Sequence, residues 1–149
     1  MTEPVAALIS RIERLEAIAE ISELSADYCR GADLRDLDRF LSVWTEGAVW
    51  RVRDDLAFVG LAEIRGGIER QWEATLRAFH WTSNPSISID EGGMSARATF
   101  DVHTEVQLTD ESWLWLAGCY RDTYERTDAG WRLGSRAAEI AAKRPALDG

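Results

Sequence analysis

Only two histidines occur in the chain, His80 and His103, and histidine is the side chain best suited to moving a proton near neutral pH. His80 opens an apolar-alternating stretch and is followed by Trp81, a neighbour that would partly desolvate an imidazole. Asp33 lies just past a long amphipathic segment. There it either caps the next helix, accepting orphan backbone N–H groups, or pairs with a histidine. The residues alone leave both readings open.

His103 belongs to a different pattern. Asp101, His103 and Glu105 are spaced by two, so on a strand they share one face, while Ala98, Phe100, Val102 and Val106 share the other. The apolar face packs inside the protein or against a second subunit. The polar face either meets solvent or lines a polar-dotted pocket. Together with His80 these residues could form a facial set of metal ligands, but the spacing is short and unspecific, so no metal is expected. The sequence has no Gly-x-Gly-x-x-Gly run, phosphate loop or Gly-x-Ser-x-Gly elbow. Nucleotide and acyl-serine chemistry therefore lack support, and no organic cofactor is expected.

The elements that must hold these groups follow from periodicity. Leu8, Ile9, Ile12, Leu15, Ile21 and Leu24 recur three or four apart among Glu and Arg, predicting a long amphipathic helix from Val5 to about Tyr28 that Gly31 ends. Asp33 and Asp36 offer a new start, and Leu37, Phe40, Leu41 and Trp44 predict a second, shorter helix. Ala48 to Val52 reads as a strand, and Ile64, Ile68, Trp72 and Leu76 as a third helix. Beyond it the pattern is β: His80–Asp90, Met94–Leu108, Trp113–Arg126 and Trp131 to about Glu139, with turns at Glu91-Gly92-Gly93 and Thr127 to Gly130. The segment from about residue 142 reads as a loose end. Helices followed by a meander of long strands predict a single α+β domain, a cone-like α+β barrel with three N-terminal helices packed on a strongly curved antiparallel sheet.

With 149 residues the chain can bury a core without disulfides. A net charge of −9, with no Lys/Arg cluster, argues against nucleic acid and anionic membranes as partners. No apolar run is long enough for a membrane span, and the first residues lack the layout of a signal peptide, so a cytoplasmic location is expected. Cys29 and Cys119 read as buried thiols. Seven tryptophans supply apolar area to a core, an interface or a ligand pocket, and counting does not divide them among those roles.

Over about Leu8 to Ala142 the chain resembles the SnoaL-like branch of the nuclear transport factor 2-like superfamily. The resembling stretches are Ile18-Ala19-Glu20-Ile21 through Asp33, Phe40 through Trp50, His80-Trp81-Thr82-Ser83-Asn84, and Tyr120 to Arg126 with Trp131-Arg132-Leu133. Within the branch it is most similar to the hexachlorocyclohexane dehydrochlorinase and the bile-acid and scytalone dehydratases. This resemblance implies a cofactor-independent lyase in which His80 abstracts a proton and Asp33 holds its other nitrogen. It implies further roles for Tyr28 or His103 as the acid toward an oxygen leaving group, and for Arg136 as electrostatic support. Trp50, Asp101, Leu116 and Tyr120 would face the same cavity, and a hydrophobic, cyclic or aromatic small molecule would be the substrate. Relatives form trimers or dimers, so a homo-oligomer is expected, a trimer before a dimer. Two other readings stay open: an isomerase or cyclase working through an enolate, and a non-catalytic ligand-binding or oxygenase small-subunit-like module.

Overall fold

The computed structural model describes residues 2–145. In chain order the elements are α1 (Glu3–Asp33), α2 (Leu37–Ser42), β1 (Trp44–Arg53), β2 (Leu56–Val59), α3 (Leu61–Glu73), β3 (Thr75–Ile89), β4 (Ser95–Leu108), β5 (Trp113–Thr127) and β6 (Gly130–Pro145). Six strands form one curved, unclosed sheet in the order β2-β1-β6-β5-β4-β3, and three helices pack against it as a cone-like α+β fold. All neighbours are antiparallel except β1 and β6, which run parallel. The sheet is thus mixed: β1 pairs with β2 on one side and with the last strand, β6, on the other.

Bulges bend the sheet, as an extra residue on one strand does. Gly118 faces Ile140 while Ala117 faces Ala142, leaving Ala141 unpaired. A Cβ on Gly118 would collide with the Glu139 carbonyl oxygen, so only glycine permits this approach. Gly134 is the extra residue of a second bulge, between Thr123 and Tyr124 on the partner strand. A third interrupts β3 between Ser83 and Ser86, where Asn84 takes a positive φ of 49°.

The core lies between the inner face of the sheet and the helices. Ile21 of α1, Phe40 of α2, and Ile64 and Ile68 of α3 are buried there, with Trp50, Phe100, Val102, Tyr124, Trp131 and Leu133 from the strands. Only the second half of α1 takes part. Ala17, Ile21, Ser25, Tyr28, Cys29 and Ala32 are buried, whereas Val5, Leu8, Ile9, Ile12 and Leu15 remain exposed. Glu20 fixes the helix to the last hairpin by accepting from the Trp131 backbone N–H at 2.9 Å.

Several expectations are corrected. The third helix follows a first strand as expected, but a second strand, β2, between them was not anticipated. Gly31 does not end α1. It lies inside the helix with α2 against it, and a Cβ there would sit 2.6 Å from the Phe40 backbone nitrogen. Trp44 begins β1 instead of closing α2, and β3 begins at Thr75, well before His80, because α3 stops at Glu73. The segment at 142–145 is not loose: it pairs with Leu114–Ala117, and the Arg144 guanidinium stacks on Trp115 at 4.8 Å. Backbone pairing and this stacking hold a stretch that has few apolar side chains; the expectation for 146–149 lies outside the described residues. Phe100 and Val102 are buried within the chain and need no partner. The aromatic side chains left exposed belong to the outer face, where Phe79 and Trp81 stand beside Trp113, His103 and Trp115.

Candidate active site

Asp33 is the last residue of α1 and His80 lies on β3, the edge strand beneath that helix end. Asp36, not Asp33, caps α2, its Oδ1 accepting from the Arg39 backbone N–H at 3.1 Å. Asp33 is thereby free to face β3. Its Oδ2 accepts from the His80 backbone N–H at 2.8 Å, and its Oδ1 lies 2.5 Å from His80 Nδ1. Two contacts from one carboxylate fix both the strand and the ring. With Nδ1 engaged by a carboxylate, the imidazole is held in the tautomer that leaves Nε2 as an acceptor. Both side chains are largely withdrawn from solvent, 16% exposed for His80 and 17% for Asp33.

His80 opens onto a cavity of about 160 Å³ between the sheet and the ends of α1 and α3. Tyr28, Trp50, Trp72 and Tyr120 are its aromatic walls; Val52, Ile68, Val106, Leu116 and Ile140 add aliphatic surface. Gln71, Thr75 and Thr104 are the further polar residues, and among the described residues no Asp, Glu, Lys or Arg lines the space. Trp72 is set by a hydrogen bond from its Nε1 to the Ala32 carbonyl at 2.8 Å, which ties α3 to the α1 turn that carries Asp33. Burial pushes the Tyr28 phenol up to about 12, against a smaller opposing pull from Arg136, so it is a neutral hydrogen-bond donor across the physiological range. Burial likewise raises Tyr120.

Tyr28, Trp50, His80, Leu116 and Tyr120 therefore meet at one cavity, with Asp33 behind His80. Asp101 and His103 do not. Thr104 and Val106 point inward from β4, so by strand alternation their neighbours point outward. His103 is packed between Trp81 and Trp115, with ring centroids 5.2 Å from each, and Asp101 accepts from Asn84 at 2.7 Å. Asp101 lines a larger outer groove of about 880 Å³ with Arg53, Cys119 and Glu139. That groove contains neither histidine, and Val52, Ala138 and Ile140 border it and the His80 cavity alike.

Arg136 also stands apart from the expected position. It is fully buried, forked onto Asp122 by Nε at 2.9 Å and Nη2 at 2.7 Å, and it lies behind the tyrosines without lining the cavity. Among the described residues no three His, Cys, Asp or Glu side chains are grouped to hold a metal ion. No described helix is long and apolar enough to cross a membrane.

Sequence reasoning missed Trp72, Gln71, Thr75 and Thr104. Thr104 carried a signal: it falls on the same strand face as Phe100 and Val102, where a polar residue is out of place unless it faces a cavity. Trp72 lies four after Ile68, and so one helical turn along the same face.

The SnoaL-like domain family matches residues 13–137. No curated protein matches. Among solved structures, a type 2 hexachlorocyclohexane dehydrochlorinase superposes with a TM-score of 0.86 at 21% identity, covering 92% of this chain and 93% of its own. A type 3 form of that enzyme from Novosphingobium barchaimii LL02 gives 0.85 at 22%, covering 91% and 94%. A candidate scytalone dehydratase from Novosphingobium aromaticivorans DSM 12444 gives 0.84 at 17%, covering 93% of each chain.

Proposed function

The chain belongs to the SnoaL-like family, and on that footing we propose that it is a cofactor-independent lyase acting on a neutral, largely hydrophobic ring compound. The observation that carries this reading is the Asp33–His80 contact at the wall of an otherwise apolar cavity. His80 Nε2 takes a proton from a substrate carbon. The electrons of the broken C–H bond form a C=C bond, and the group on the adjacent carbon departs with its own bonding pair. Asp33 holds the ring and stabilises the imidazolium as it forms, without itself taking the proton. Tyr28, neutral at the cavity wall, suits an oxygen leaving group, to which it donates a hydrogen bond.

Substrate character follows from the lining. A space of this size is comparable to one that takes a single aromatic ring, and with no charged side chain at the wall a carboxylate or ammonium would be desolvated without a partner. The homo-oligomer, a trimer in this reading, would cover two apolar surfaces: the stripe Val5, Leu8, Ile12 and Leu15 on α1, and the outer aromatics around Phe79 and Trp81.

Native mass spectrometry of the purified protein for a retained small molecule, followed by incubation with it and its hydrated forms, tests the reading. A product lighter by one water or other leaving group is expected. A product of unchanged mass would replace elimination by isomerisation, and a retained ligand that is never turned over would make the chain a carrier.

A further inference from the structure

We propose that Arg136 is a positioning residue that acts on the cavity through two phenol rings: held charged behind Tyr28 and Tyr120, it polarises their hydroxyls toward donating a hydrogen bond to a substrate oxygen. The inference rests on the cavity being the reaction site. Its geometry does not. The guanidinium carbon lies 4.3 Å from the centroid of the Tyr28 ring and 4.1 Å from that of Tyr120, so the planar cation sits in the corner of two aromatic rings that meet at 76°, each of which lines the cavity. Cation–π contact is strongest where water is excluded, and Arg136 is wholly buried.

The cation is held in place and in charge from behind. Asp122 receives Nε and Nη2 as a fork, Ser25 Oγ lies 3.1 Å from Nη2, and the Tyr124 hydroxyl donates to Asp122 at 2.8 Å. Burial is the largest single influence and works against the charge; the Asp122 carboxylate, by its charge and its hydrogen bonds, together with Tyr124 and Tyr28, more than offsets it. The guanidinium Nη1 has no hydrogen-bond partner, so on that side the aromatic faces are what compensates the buried cation. A cluster built only to fill the core would not need a charge there, since apolar residues of similar volume serve at least as well. A cation behind two phenols withdraws electron density from their rings and strengthens their O–H groups as donors. Arg136 thus does not touch the substrate; Tyr28 and Tyr120 do.

The test uses the full chain labelled with 3-fluorotyrosine, whose ring fluorine lowers the phenol's ionisation into an accessible range. The three tyrosines give three fluorine resonances, assigned with Tyr28→Phe, Tyr120→Phe and Tyr124→Phe. Replacing the ion pair as a unit, Arg136→Met with Asp122→Leu, removes the cation while filling its space, and the Tyr28 and Tyr120 midpoints should rise by about half a pH unit or more. Asp122→Asn keeps the cation and removes its counter-charge, and the same midpoints should fall. The two variants predict opposite signs, so either one alone decides if the other does not fold. Unchanged Tyr28 and Tyr120 midpoints in a folded variant would overturn the proposal. Turnover by the Met/Leu variant should be about tenfold lower, as weaker donation from the two phenols in the transition state requires, with no further loss on a Tyr28→Phe, Tyr120→Phe background. If the midpoints move as stated but wild-type protein eliminates nothing, the proposal stands and the lyase reading fails.

Discussion

Replacing Gly31 by alanine sets two effects of opposite sign against each other. Gly31 lies within α1, and alanine in a helix interior is favoured over glycine by about 1 kcal/mol. On propensity alone the variant would be more stable. The added Cβ, however, would meet the Phe40 backbone nitrogen at 2.6 Å, its Cα at 2.7 Å and its Cβ at 2.9 Å. Two of these are backbone atoms of a helix, so no rotamer change relieves them; α2 must move away by nearly 1 Å. Overpacking of this kind costs roughly 1–3 kcal/mol or more, and it occurs beside the fully buried Phe40 ring, whose centroid is 5.1 Å from that of Tyr28. Because backbone atoms form the clash, the steric cost falls in the upper part of that range, about 2–3 kcal/mol, and wins, leaving a net loss of about 1–2 kcal/mol. For a domain of this size that lowers Tm by roughly 3–8 °C. Thermal unfolding followed by tryptophan fluorescence, to which Trp44 and Trp50 of β1 contribute from beside Phe40 of α2, reads the change. An unchanged or raised Tm would show that α2 does not press on Gly31 as described.

Other expectations are open to simple measurements. Asp33→Asn should keep the fold but lower turnover by about a hundredfold or more, because an amide can hold the wrong tautomer and does not stabilise imidazolium; near-wild-type turnover would remove Asp33 from the mechanism. His103→Ala should stay within a few-fold of wild type, since His103 is packed between two tryptophans outside the cavity, and a large loss would restore it as an acid. Burial raises all three tyrosines, Tyr28 to about 12. An unfolded phenol ionises near 10, so the tyrosines' contribution to stability is complete below about pH 10 and is lost as the pH rises beyond it. Phenolate absorbance should therefore appear together with unfolding, and reversible ionisation near pH 10 in folded protein would contradict that. Light scattering at micromolar concentration should give a multiple of the chain mass, and Trp81→Glu should reduce it; a monomeric wild type would leave the exposed apolar stripe and outer aromatics without the proposed role.

How much of this was legible in the sequence depended on whether a signal was local. The Asp33–His80 pair was, because a helix-end carboxylate and a strand histidine could be placed by periodicity and matched to a family. The division of β4 into two faces was also legible, but which face looks into the cone was not. Strand alternation is indifferent to direction, and only the tertiary packing that buries Phe100 and Val102 decides it. Asp101 and His103 were lost to the site on that one choice. Gly31 looked like a helix stop, since glycine serves both as a cap and as a point of close approach, and α2 lies beyond the reach of local pattern. By local pattern Arg136 and Asp122 are ordinary strand charges, and only the family resemblance singled out Arg136. Their burial depends on the parallel pairing of β1 with β6, a contact between the first strand and the last that no short-range signal carries.

The central claim, that His80 removes the proton, is tested most directly by comparing single-turnover rates of wild type and His80→Ala on the retained or screened substrate, with the fold of each checked by circular dichroism. A folded His80→Ala variant slower by about 10²–10⁴-fold is predicted for a positioned general base, with Asp33→Asn added to it costing little more because the two residues act as one unit. A folded His80→Ala variant that turns over the substrate at the wild-type rate would contradict the mechanism.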